Sequence, residues 1–149
     1  MSFQEIFKKT GFTLILIFIL VTVSVITAHQ PRLETGVNVS LKNPIVIENP
    51  EVSQAFYGDL QGQPDYYKIS SDEPFKFYLN LLVPASPGIP PDFISAELLD
   101  SSGNVLITID GQNSTWEPYF EEFGGDYYLK GPETRANLTA GTYYIKIYN

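Results

Sequence analysis

The residues from Phe12 to Ala28, FTLILIFILVTVSVITA, run for 17 positions without a charge. As a helix this stretch is about 25 Å long at roughly 1.5 Å per residue, near the lower limit for crossing a bilayer. A buried core helix this apolar on every side requires a larger protein around it than 149 residues supply. Lys8 and Lys9 lie just ahead of the run and Glu34 follows it, so the positive-inside rule predicts a cytoplasmic N-terminus and an extracytoplasmic remainder. A cleavable signal peptide shares this layout but requires small residues one and three positions before the cut. Cleavage after Ala28 places Ile26 at the outer position, and cleavage after Thr27 places Val25 there. The segment therefore reads as an uncleaved signal anchor, with secretion as the outcome if the leader is removed. The predicted organisation is a cytoplasmic n-region over 1–11, a transmembrane helix over 12–28, a tether over 29–42 and one domain over 43–149.

Composition removes several classes of function. From His29 onward 7 basic side chains stand against 16 acidic ones, which argues against a nucleic-acid partner. The chain has no Cys, and its only His is His29, in the tether. Disulfide scaffolds, thiol nucleophiles, Cys/His zinc sites and a Ser–His pair within the domain are thereby excluded. No Gly-rich phosphate loop follows a strand and opens a helix. The expectation is a non-catalytic protein without a cofactor. Twenty Phe and Tyr with one Trp argue against disorder.

Beyond Asn43 short β-rich runs alternate with turn clusters, and no long stretch shows a 3.6-residue apolar period. Phe75 to Val83 sets Phe75, Phe77, Leu79, Leu81 and Val83 on one face, which should meet the core. Thr142 to Tyr148 likewise groups Tyr143, Ile145 and Ile147. Ile94 to Leu99 and Val105 to Ile109 flank Asp100-Ser101-Ser102-Gly103-Asn104, a hairpin signal. Further strands are predicted over Pro44 to Ile47, Gln54 to Leu60, Tyr66 to Ser70 and Asp126 to Leu129. Pro84 to Pro91 holds four Pro in eight residues and reads as a stiff surface connection. About eight strands in this length predict an all-β, two-sheet, jelly-roll-like sandwich.

Gln54-Ala55-Phe56-Tyr57-Gly58-Asp59-Leu60, Asp65-Tyr66-Tyr67-Lys68-Ile69, Ala96-Glu97-Leu98-Leu99-Asp100 with Gly103, and Ala140-Gly141-Thr142-Tyr143-Tyr144-Ile145 occur in that order. Together they resemble the bacterial pre-peptidase C-terminal domain over roughly residues 50 to 148. The resemblance implies a small extracellular β-sandwich that presents or binds polymeric substrates for a hydrolase, or serves in a surface protein. Such domains usually accompany a peptidase and continue past the Gly-Thr-Tyr-Tyr strand into one more strand. At the other end, Lys8-Lys9-Thr10-Gly11-Phe12-Thr13-Leu14-Ile15 resembles a type IV prepilin leader junction, although Leu16 stands where pilins carry Glu and Pro31 stops the helix early.

The stretch from Gly111 to Pro132, GQNSTWEPYFEEFGGDYYLKGP, is the least strand-like part of the domain and the place to expect a binding loop. Trp116, Tyr119, Phe120, Tyr127 and Tyr128 are its candidate ligand-binding rings, able to stack on sugar faces or on a protein partner. Polar Ser114, Thr115 and Glu117 around Trp116 predict that it is the most exposed. The oxygen-bearing loop Asp110-Gly111-Gln112-Asn113 and the cluster Glu121, Glu122, Asp126 are places where a weak Ca²⁺ site could form, without the spacing of an EF-hand. Three N-x-S/T sequons begin at Asn38, Asn113 and Asn137. The expected role is a membrane-anchored binding or scaffolding module for surface polymer or a protein partner. The alternatives are a pilin-like filament subunit and an accessory subunit of a secreted hydrolase.

Overall fold

The computed structural model describes residues 30–34, 39–88, 90–122 and 124–149. The predicted n-region and transmembrane helix, and the sequon at Asn38, lie outside the described residues. Those described are all-β and contain no helix.

Ten strands form three sheets: β1 (Gln30–Leu33), β2 (Ile45–Val46), β3 (Gln54–Tyr57), β4 (Asp65–Ser71), β5 (Phe75–Pro84), β6 (Ser95–Leu99), β7 (Val105–Ile109), β8 (Glu117–Glu121), β9 (Asp126–Leu138) and β10 (Gly141–Tyr148). The five-stranded sheet runs β2-β4-β10-β6-β7, the three-stranded sheet runs β5-β9-β8, and β1 pairs with β3 alone. The last strand is therefore central, held by β4 on one side and β6 on the other. The segment expected to be a loose tether contributes β1, which pairs in parallel with β3 from Gln30↔Gln54 to Leu33↔Tyr57.

Alternating apolar residues on the two larger sheets meet in one sandwich-like core. Phe77 of β5 packs with Tyr67 and Ile69 of β4, Leu98 of β6, and Tyr143 and Ile145 of β10. Leu81, Ala96 and Ile109 continue that core toward the other end of β5. The predicted β5 alternation holds: Phe77, Leu81 and Val83 are buried, while Lys76 and Tyr78 are exposed. Tyr143 brings a hydroxyl into this interior, where an unpaired polar group is costly. Its O–H donates to the Thr139 carbonyl at 3.1 Å, so the cost is met locally. The β6–β7 turn forms as predicted. The Asp100 carboxylate accepts from the Ser102 and Asn104 amides at 2.8 and 2.9 Å, and Gly103 supplies φ +84°.

Proline placement explains two departures from the sequence reading. Pro118 sits in β8, an edge strand, the position in a sheet that tolerates a residue without an amide hydrogen. Pro132 sits in central β9, but where the register against β5 slips between Asn80↔Glu133 and Leu82↔Lys130. That bulge lets β9 pass through Gly131-Pro132 and run 13 residues.

At the end of the sandwich where β4 begins, Glu34 donates its amide to the Tyr57 carbonyl at 2.7 Å. Burial raises the Asp65 carboxyl above its ordinary 3.8. Burial, then the negative charge of Asp65, raises Glu34. A raised carboxyl pKa means that folding favours the neutral acid. The favourable contribution is complete below the unfolded value and is lost as pH rises through the folded value. Asp65→Asn, neutral at every pH, is therefore expected to melt higher than wild type at neutral pH. The two should converge well below pH 3.8. A lower melting temperature at neutral pH contradicts this reading.

Candidate functional site

The stretch from Gly111 to Pro132 is not an open loop. It contains a tight turn, a tryptophan anchor and the β8–β9 hairpin. The Asp110 carboxylate accepts from the Asn113 amide at 3.1 Å and from Asn113 Nδ2 at 2.7 Å, which locks the turn. These donors, side chain first, hold the Asp110 carboxyl below its ordinary value. Both of its oxygens thus serve the turn that was considered for Ca²⁺, and Asn113 Nδ2, the atom a glycan would join, is engaged there.

Trp116 follows, and here the structure corrects the expectation that it is the most exposed of the five rings. The indole is half-buried, stacks on Phe93 with centroids 4.9 Å apart and planes 18° apart, and packs against the core of Leu81, Ala96 and Ile109. Its Nε1–H donates to the Gly111 carbonyl at 2.8 Å. Gly131 lies beneath the ring, where a Cβ would come within 2.5 Å of it. Trp116 fixes the root of the hairpin.

Beyond that root β8 and β9 pair from Glu117↔Lys130 through Tyr119↔Tyr128 and Phe120↔Tyr127 to Glu121↔Asp126. Paired residues share a face and faces alternate. One face carries Glu117, Tyr119, Glu121, Asp126, Tyr128 and Lys130. The other carries Pro118, Phe120, Tyr127 and Leu129. Tyr119 and Phe120 are 40 % and 46 % exposed, Tyr127 is 68 % exposed, and Tyr128 is half-buried. The four predicted rings other than Trp116 are thus brought together, divided into two pairs on opposite faces. Gly125, at φ +76°, closes the hairpin with its amide on the Glu121 carbonyl at 2.9 Å. The Glu121 carboxylate accepts from the Gly124 amide, so it serves the turn as well.

The polar face continues along the three-stranded sheet. Glu133 accepts from the Tyr78 hydroxyl at 3.0 Å, pairs with Lys130 at 3.0 Å and lies 3.6 Å from Arg135. The Arg135 guanidinium stands 4.3 Å over the Tyr78 ring. Hydrogen bonds from Lys130 and Tyr78 hold Glu133 below the ordinary carboxylate value. From the neighbouring sheet, Tyr57 lies within electrostatic reach of Glu121, Tyr128, Asp126 and Tyr119. Burial first, and then those groups, raise its phenol. Tyr128 is raised by burial and then by Asp126 and Glu121.

Sequence reasoning missed Tyr57, Tyr78, Glu133 and Arg135 as members of this surface. The polar–apolar alternation Glu133, Thr134, Arg135, Ala136, Asn137, Leu138 held the signal for the last two. Chemically the face offers phenol rings to stack on C–H surfaces and carboxylates to accept hydroxyl protons. Among the described residues no group of three or more His, Cys, Asp or Glu side chains is placed to hold a metal ion.

No family model, no curated protein and no solved structure matches the chain.

Proposed function

We propose that the chain is a non-catalytic, membrane-anchored extracytoplasmic binding module, a β-sandwich of the pre-peptidase C-terminal kind, that holds a hydroxyl-rich surface polymer on its tyrosine face. The observation that carries this reading is the cross-strand pair Tyr119↔Tyr128, with Tyr57 in electrostatic reach and Glu121 and Asp126 at its rim. Rings interspersed with carboxylates suit a sugar chain, which presents both C–H faces and hydroxyl donors. The uncharged run over 12–28 supplies the anchor and Lys8-Lys9 the orientation. Acting alone or beside a hydrolase carried on another chain, the module keeps polymer at the cell surface. A protein partner is the competing ligand for the same face.

Replacing both Tyr119 and Tyr128 with Ala should cut polymer affinity by roughly tenfold or more, two ring contacts at about 0.5–1.5 kcal/mol each. Neither ring belongs to the buried core, so the melting temperature should move only a few degrees. Equal affinity of variant and wild type removes the tyrosine face as the site.

A further inference from the structure

The outer face of the three-stranded sheet continues beyond the tyrosine pair, and its far half has no role in the polymer-binding reading. Register sets Lys76↔Asn137, Tyr78↔Arg135, Asn80↔Glu133, Leu82↔Lys130 and Pro84↔Tyr128 on that one face. Eight positions of β5 separate Lys76 from Pro84, about 26 Å at roughly 3.3 Å per residue. The rings of Tyr119 and Tyr128 stand at one end of this path. At the other lies a shallow groove of about 180 Å³, lined by Lys76, Phe77, Tyr78, Arg135, Ala136 and Asn137.

The charge of that groove runs against the rest of the domain. From His29 onward 7 basic side chains stand against 16 acidic ones, yet two of the basic ones line the groove and no acid does. Lys76 is exposed and has no ion-pair partner among the described residues. The Arg135 side chain is 72 % exposed, and its acidic neighbour Glu133, at 3.6 Å, is already held by Lys130 and by the Tyr78 hydroxyl, each at 3.0 Å. Stacking of the guanidinium 4.3 Å over the Tyr78 ring fixes its plane and leaves edge N–H donors for a planar oxyanion. Asn137, across from Lys76, is exposed and adds an amide donor. Glu117, Glu121 and Asp126 belong to the hairpin at the far end of the path. That separation exceeds the screening length of about 8 Å at physiological ionic strength, so the local cations decide what the groove attracts.

We infer that the polymer held on the tyrosine face is anionic, and that the groove between Lys76 and Arg135 takes one of its carboxylate or phosphate groups. Uncharged sugar faces then rest on Tyr119 and Tyr128 while an acid group farther along the same chain is paired by the two cations. The spacing between rings and groove sets which polymers fit. This inference rests on the polymer-binding reading.

The test titrates the full chain, solubilised in uncharged detergent, with a galacturonic acid oligomer and with the same oligomer as its neutral methyl ester. Overall electrostatics make a chain of net charge −8 favour the ester, so a preference for the acid reports the groove. Wild type should bind the acid about tenfold more tightly than the ester, through charge-assisted hydrogen bonds, and the difference should vanish in salt of about 1 M. Lys76→Gln with Arg135→Gln should bind both forms alike, at a melting temperature within a few degrees of wild type because both side chains are exposed. Tyr119→Ala with Tyr128→Ala should weaken both forms and keep the preference. An acid bound no better than its ester, binding of neither form, or a preference that survives loss of both cations overturns the anion site. Unchanged affinity of the ring variant for both forms overturns the tyrosine face instead and leaves the groove standing.

Discussion

Gly111→Ala is expected to be the most damaging single-methyl addition in this domain, at about 3 kcal/mol or more, the upper end of the range for overpacking. A Cβ at Gly111 would stand 1.8 Å from the Ile94 carbonyl oxygen and 2.9 Å from its carbon, so backbone must move. That movement cannot stay local. The Gly111 amide donates to the buried Ser95 hydroxyl at 3.1 Å, and its carbonyl accepts the Trp116 indole at 2.8 Å. Gly103 provides the control, because it is needed for a different reason. It has φ +84° and open space where its Cβ would go, so Gly103→Ala meets only left-handed strain of about 1–2 kcal/mol. Thermal or urea melts of both variants decide the matter. A Gly111→Ala protein as stable as Gly103→Ala contradicts the packing described here.

Trp116→Ala should cost about 3 kcal/mol, the low end for removing a large aromatic because the ring is half-buried. Phe93 loses its stacking partner, the Gly111 carbonyl loses its donor, and a void opens over Gly131. For a domain of this size the melting temperature should fall on the order of 10 °C. Trp116→Phe keeps a ring on Phe93 but not the hydrogen bond, and should cost nearer 1 kcal/mol. Below its own melting point the Trp116→Phe protein should still bind polymer, since the ring lies at the root and not on the tyrosine face. A Trp116→Ala protein with an unchanged melt and no binding would return Trp116 to the ligand surface.

Period-2 alternation made most of the fold legible. Strands β2 to β7, β9 and β10 were predicted within a residue of their starts, although β9 runs on to Leu138 where the pattern ended it at Leu129, and the Asp100–Asn104 turn carried its own chemistry. The stretch from Gly111 to Pro132 was harder to read for physical reasons. Pro118 and Gly131-Pro132 are breaking signals in a linear pattern, yet one falls on a sheet edge and the other on a bulge, where prolines do no harm. The Gly124-Gly125 pair between two aromatic runs was the hairpin signal available in the sequence. Trp116 looked exposed because its neighbours in sequence are polar, whereas its packing partner Phe93 is 23 residues away. The electrostatic influence of the hairpin on Tyr57 crosses from one sheet to another, a relation that no local pattern encodes.

The sheet arrangement also bears on the filament reading. Strand β10 is central, so the C-terminal strand is not the open edge that donation to a neighbouring subunit would use. Among the described residues the two larger sheets end in β2, β7, β5 and β8, and on β7 Val105 and Leu106 are 52 % and 48 % exposed.

The measurement that addresses the central claim most directly is retention of the detergent-solubilised full chain on insoluble cellulose, chitin and peptidoglycan, each competed with its soluble fragments. The account predicts retention on at least one polymer, displacement by the matching fragment, and loss of both when Tyr119 and Tyr128 are replaced. A correctly folded chain that passes through all three polymers, or whose retention is indifferent to those two tyrosines, would contradict it.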